Sequence, residues 1–231
     1  MLPKLKNLIL VTLDNLRSDG INFVGKKGNF TPTLDKIASE SILFDNCFTT
    51  SAHSAPSHFS ILTGCNPYNH GVRSNSMIFN SKVSLLQELI AEREILTGAA
   101  VGGAGLSRLV GFEKGFNFFS DYTSLTSYPR IIRKINKFIY SQLGIKLKSY
   151  RNDKETLLAF TNFLRKTNNK PFFFWLHLFD LHGRMGEDYS SLIDKPTISD
   201  GLIDYKKEKE NDYYNNQVPK IDKSVSDLFK I

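Results

Sequence analysis

Three places in this chain put chemically capable side chains where a fold could use them. The apolar run Leu8-Ile-Leu-Val-Thr-Leu13 stops at Asp14. Such a run suits a central strand of a parallel sheet, buried on both faces. Open α/β sheets bind ligands at the carboxyl ends of their strands, so a carboxylate there is a candidate functional group. The second place is Ser54-Ala-Pro-Ser-His-Phe-Ser-Ile-Leu-Thr-Gly64. It reads as a turn entering a helix that stops at Gly64. At the head of such a helix, backbone N–H groups and the dipole favour an anion beside Ser54, and Pro56 suits the first turn. The third is a second apolar run, Pro171-Phe-Phe-Phe-Trp-Leu-His-Leu178, which ends near Asp180 and His182. Plainer roles stand beside these. Asp14 could be a turn residue capping a helix, Ser54 a helix N-cap and His182 a surface-loop histidine. His177, inside the apolar run, reads as a satisfied core histidine. His70 reads first as loop packing and second as an anion contact.

The elements that must position these residues alternate in type. Pro32, one residue after Thr31, starts a helix that turns Leu34, Ile37, Ala38 and Ser41 to one face. Ile42-Leu-Phe44 is expected as a short strand, and the segment 83–94 as an amphipathic helix with Leu85, Leu86, Leu89 and Ile90 inward. Ala99-Ala-Val-Gly-Gly reads as a strand end with a tight turn, and 130–143 and 153–165 as helices. From 185 to 217 the chain is polar, with a charge-dense stretch from Lys206 to Asp212, and is expected as a loop or weakly ordered connection. Helical spacing returns over 218–231. Strands alternating with helices predict an α/β fold with a mostly parallel sheet flanked by helices.

Composition narrows the classes. The 231 residues suffice for one sizeable domain, and the 41% apolar share, with eighteen Phe and nine Tyr, supplies a core. The formal charge is +7, but the lysines are scattered among Asn, Asp and Glu. That reads as a solvated surface and not as a nucleic-acid interface. Cys47 and Cys65 make no disulfide framework and are expected as buried thiols. The run after Met1-Leu-Pro-Lys-Leu-Lys is too short for a secretory leader or a membrane span, which gives the expectation of a cytoplasmic chain.

Several segments together resemble the sulfatases of the alkaline phosphatase superfamily. Val11-Thr-Leu-Asp14-Asn-Leu-Arg17-Ser-Asp19 is similar to their opening strand and its metal-binding Asp. Thr31-Pro-Thr-Leu-Asp35-Lys-Ile-Ala, then Phe44-Asp-Asn-Cys-Phe, is similar to their next helix and strand. Ser54-Ala-Pro-Ser-His58, then Leu62-Thr-Gly64-Cys-Asn-Pro67-Tyr-Asn-His70-Gly-Val72, resembles the signature around the nucleophile. Gly111-Phe-Glu-Lys-Gly-Phe-Asn117 and Phe174-Trp-Leu-His177-Leu-Phe-Asp180-Leu-His182 resemble two later motifs.

The resemblance implies an alkaline phosphatase-like fold and metal-dependent hydrolysis of a sulfate ester on a small molecule or glycan. Ser54 would be the nucleophile and His182 the substrate-side histidine. Asp14, with Asn15 and Ser54, would hold a divalent cation, Ca²⁺ first and Mg²⁺ or Mn²⁺ as alternatives. A cation of this kind neutralises the charge that develops as the ester breaks. His58 stands where the family signature has Arg, which argues against conversion of Ser54 to formylglycine. It leaves open a phosphoesterase or phosphotransferase using unmodified Ser54. Asn15 replaces a second Asp common in the family, and Leu181 replaces the usual Pro before His182. The later Asp-His or Asp-Asn motif that completes the metal site in such relatives does not occur in this sequence. The expectation is therefore a partial N-terminal sulfatase domain over 1–231, incomplete at its site. A non-catalytic, degenerate or truncated binding domain is the further alternative, with association through the unfinished sheet.

Overall fold

A computed structural model describes residues 7–21, 31–75, 77–121, 151–182, 197–199, 202–204 and 207–231. The helix expected over 130–143 lies outside the described residues. The chain divides into two compact units, Met1–Thr12 with Asn46–Phe179, and Leu13–Asp45 with Asp180–Ile231.

The first unit is built on a four-stranded sheet. Strands β1 (Asn7–Leu13), β2 (Leu96–Val101), β3 (Phe118–Ser120) and β4 (Phe172–Leu178) lie in the order β1-β4-β2-β3. β2 runs parallel to both β3 and β4, as the alternation of strands and helices requires. β4 is the strand covered on both faces: all seven of its residues are buried. Side chains alternate across it. Trp175 meets Phe112 at 5.6 Å between ring centroids, while Phe174 meets Phe160 and Phe163 of α5 (Asp153–Leu164) at 4.6 and 4.8 Å. Gly98 of β2 lies beneath those last rings. A Cβ there would come within 2.7 Å of Phe174 and 2.8 Å of Phe163, so the position admits only glycine.

β1 corrects the expectation of a fully buried central strand. Among the described residues it has one neighbour in the sheet, β4, and Leu8 and Ile9 are 43% and 41% exposed. Apolar continuity alone does not distinguish an edge from a centre, because that depends on how many neighbours the strand acquires.

Within this unit three described α-helices precede β2: α2 (Ser54–Thr63), α3 (Pro67–His70) and α4 (Leu86–Ala91). α2 buries Ala55, Phe59 and Leu62 in the core, and Phe59 stacks between Phe79 (4.6 Å) and Phe112 (3.9 Å). Gly64 ends α2 in the left-handed region at φ 67°, as expected. α4 is shorter than predicted and rotated. Leu89 is exposed and Gln87 is buried, its amide donating to the Lys114 carbonyl. The segment entering α5 ties the strand ends together. Arg151 N–H donates to the Gly102 carbonyl and its guanidinium to the Ser120 carbonyl, while Asp153 accepts from Phe179 N–H at 2.7 Å. Asn152 and Glu155 form a reciprocal cap at the head of α5.

The second unit contains α1 (Pro32–Ser39), an antiparallel pair of β5 (Thr197–Ser199) with β6 (Leu202–Asp204), and α6 (Lys207–Leu228). Thr31 makes no side-chain cap for α1. Buried Asp222 of α6 does so instead, accepting from Thr33 N–H at 3.2 Å and Leu34 N–H at 2.9 Å. The loop expected over 185–217 is thus partly regular. Its Lys- and Glu-rich end is good helix-forming sequence, and polarity alone concealed that. Ile42–Phe44 is not a strand. Ile42 and Phe44 are 83% and 77% exposed, and among the described residues the segment pairs with no strand. Cys47 is exposed and Cys65 half-buried, so neither is the buried thiol expected. Among the described residues no helix is long and apolar enough to cross a membrane.

Candidate functional site

In the first unit Ser54 is half-buried at the first position of α2, with His53 as N-cap. The amide donors around it are fewer than the bare idea of a helix N-terminus suggests. Pro56 has no N–H, and Ala55 N–H donates to Asn75 Oδ1 at 2.9 Å. Of the first three residues of α2, only Ser54 is left to offer an amide hydrogen to an anion.

One turn on, His58 is buried and its Nδ1 lies 2.7 Å from the Ser54 carbonyl. A carbonyl only accepts, so Nδ1 carries the proton. Burial lowers the His58 pKa, and the Ser54 carbonyl offsets part of that. The ring stands edge-on to His177, 4.8 Å between centroids at 87°, and tilted on Trp175 at 5.7 Å. His177 is fully buried, as a core histidine should be. Its Nδ1 shares a 2.8 Å hydrogen bond with the Thr12 hydroxyl, which also accepts from Trp175 Nε1 at 3.0 Å. His70 has the packing role expected first. It is 1% exposed, accepts from Val72 N–H at Nδ1 and pairs through Nε2 with Ser60 Oγ at 3.0 Å.

In the second unit Asp14 follows β1 directly and is 8% exposed. Burial raises its carboxyl pKa, and the charge of neighbouring His182 acts the other way. His182 Nε2 lies 3.6 Å from Asp14 Oδ2, at the end of the single turn Asp180–His182. Asn15 is exposed at φ 57°, a left-handed conformation that Asn tolerates, and it turns the chain away from the strand. Arg17 and Asp19 are structural partners of one another, bonded at 2.9 and 2.6 Å. Tyr214 of α6 fixes the same turn, accepting from Arg17 N–H at 2.8 Å with the guanidinium 5.2 Å from its ring.

The structure thus brings Asp14, Asn15 and His182 together in one unit and carries Ser54 on the other. Sequence reasoning missed Thr12, Asn75 and Tyr214. Thr12 left a signal, as the one hydroxyl in the otherwise apolar run from Leu8 to Leu13. Asn75 and Tyr214 left none, because their roles depend on contacts distant in sequence.

A divalent cation held by hard oxygens takes about six to eight donors. Among the described residues no three His, Cys, Asp or Glu side chains gather in a way that could hold one. Asp14 supplies one carboxylate and faces an imidazole, so the described residues do not by themselves fit a complete metal centre. A cavity of about 310 Å³ in the first unit lies against Asn7, Leu8 and Phe172. Those residues mark the amino-terminal ends of β1 and β4, whereas Asp14 follows the carboxyl end of β1.

This arrangement of parallel strands with polar groups beyond their carboxyl ends defines a class. The fold is shared with a solved protein in the alkaline phosphatase superfamily from Vibrio parahaemolyticus, at a TM-score of 0.60 and 19% identity over 98% of this chain and 50% of that one. The sequence profile described as Sulfatase matches residues 6–231, and the chain belongs to the sulfatase family. It is 30% identical over 117 residues to an N-acetylglucosamine-6-O-sulfatase of Bacteroides thetaiotaomicron, covering 51% of this chain and 20% of that protein. It is 28% identical over 172 residues to the human N-sulphoglucosamine sulphohydrolase, covering 71% of this chain and 30% of that protein. The matched segments therefore span less than a third of the length of either relative.

Proposed function

We propose that this chain carries the nucleophile and part of the cation-binding machinery of a hydrolase acting on sulfate esters of glycans. The observation that carries the reading is Ser54 at the head of α2, in a signature-like segment of a sulfatase-family chain. The names of the two relatives, both referring to a glucosamine, support an amino-sugar sulfate as the substrate class. The Ser54 oxygen attacks sulfur as its hydroxyl proton passes to water, the S–O bond to the sugar breaks, and the sugar oxygen leaves with a proton taken from solvent; His182 is the candidate substrate-side histidine. Water then releases sulfate from Ser54. Asp14 and Asn15 would contribute to a divalent-cation site, with Ca²⁺ the first candidate.

A second reading is a phosphoesterase using unmodified Ser54. Neutral His58 favours it, since it occupies the signature's Arg position and binds the Ser54 backbone.

The test is turnover of an aryl sulfate and an aryl phosphodiester, with and without Ca²⁺, Mg²⁺ or Mn²⁺, alongside a mass spectrum of the Ser54 peptide. Sulfate turnover supports the first reading, and phosphodiester turnover with an unmodified serine supports the second. Ser54→Ala is expected to eliminate activity of either kind, and retained activity removes Ser54 as nucleophile. Asp14→Ala is expected to abolish cation dependence; unchanged dependence removes Asp14 from the cation site.

A further inference from the structure

We infer that His58 is the positioning residue for Ser54: its Nδ1–H, held 2.7 Å from the Ser54 carbonyl, anchors the first turn of α2 to the ends of β1 and β4. The inference rests on the assignment of Ser54 as nucleophile.

The first turn of α2 lacks the usual means of holding itself. His53 provides no side-chain cap, and Pro56 removes one donor. The Ala55 amide is bonded sideways to Asn75. What fixes the carbonyl of residue 54, beyond the helix's own ladder, is the His58 ring.

That ring is itself fixed by the sheet. It packs edge-on against His177 and tilted against Trp175, two residues apart on β4 and so on the same face of the strand. Thr12 of β1 clamps both, bonding the His177 ring at 2.8 Å and the Trp175 indole at 3.0 Å. A continuous series of contacts therefore runs from two strands through an indole and two imidazoles to the backbone of Ser54. The other buried histidine near α2 shows the contrast. His70 bonds Ser60 and Val72, one turn and more beyond residue 54. Placement of a reacting hydroxyl matters steeply, since a shift of about 1 Å can cost on the order of 100-fold in rate.

The experiment reads placement without requiring turnover. In a Ser54→Cys background, alkylation of the new thiol by iodoacetamide is followed at pH 7 by peptide mass, which separates it from Cys47 and Cys65. A thiol held at a helix N-terminus has an enhanced thiolate fraction and reacts faster than a released one. His58→Asn keeps an N–H donor near the place of Nδ1, whereas His58→Phe keeps the ring and loses the donor. The expected result is a rate within about twofold of the parent for His58→Asn and about tenfold slower for His58→Phe. An unchanged or faster rate in His58→Phe, or an equal slowing in both variants, overturns the proposal. Should His58→Phe fail to fold, ¹⁵N imidazole spectra of the unaltered chain decide. A Nδ1–H tautomer at His58 supports the proposal, and a Nε2–H tautomer sinks it. Loss of the nucleophile assignment would appear separately, as turnover that survives Ser54→Ala.

Discussion

Around Ser54 the structure uses a wide apolar core and neutral hydrogen bonds, whereas around Asp14 it uses charged and polar partners. α2 is seated by Phe59 between two rings, and the polar groups near Ser54 are a carbonyl, a neutral imidazole, an amide and a hydroxyl. The turn after β1 is instead held by an Arg17–Asp19 pair, the Tyr214 hydroxyl and the Asp14–His182 approach. The difference teaches where each arrangement is vulnerable. Apolar packing depends on volume and is nearly indifferent to salt, while partly exposed ion pairs contribute little and are screened.

The largest expected effect comes from breaking the packed side. Phe59→Ala removes a fully buried ring and should cost about 3–5 kcal/mol, read as a lower denaturant midpoint of the first unit. A loss under about 1 kcal/mol would mean that α2 is not seated as described. Asp222→Ala tests the polar side. It removes the acceptor of two amides at the head of α1 and should cost about 1–2 kcal/mol, followed by the same measurement. Buried Asp222 is screened little, so added salt should leave both effects nearly unchanged, whereas it should weaken the effect of Asp19→Asn at the exposed Arg17–Asp19 pair.

The smallest effect is a pH dependence. Burial lowers the His58 pKa, so below its ordinary value of 6.5 the unfolded chain takes up a proton that the folded chain resists. Folding stability should therefore fall as pH drops below about 6.5 toward the folded-state value, and His58→Phe should flatten that part of the curve. An unaltered slope in the variant would assign the dependence to other groups.

Much of the fold and of the candidate site is legible in the order of the residues. Strand ends and helix starts are local in character, so Asp14, Ser54 and the stop at Gly64 follow from short-range chemistry alone. The helix over 153–164 and the strand at 172–178 follow for the same reason, through periodicity and apolar run length. The misreadings share one cause. β1 looks central because its side chains are apolar, and Ile42–Phe44 looks like a strand because its residues are β-prone. Sheet position and strand pairing are long-range facts, and neither segment carries them. Leu89 and Gln87 exchange roles because α4 is only six residues long, and its orientation follows from what it packs against. The charge-dense start of α6 reads as loop because polarity reports exposure, not backbone conformation.

By itself the sequence determined the family and the parallel α/β class and singled out Asp14, Ser54 and His182 as candidates, because motifs and periodicities are written in consecutive residues. Only the tertiary structure decided what holds those residues. It set Thr12 between an indole and an imidazole, gave the Ala55 amide to Asn75, aimed His58 at the Ser54 carbonyl and brought His182 to Asp14. Those contacts join residues 4 to 168 positions apart, and only chain folding sets the distances between them.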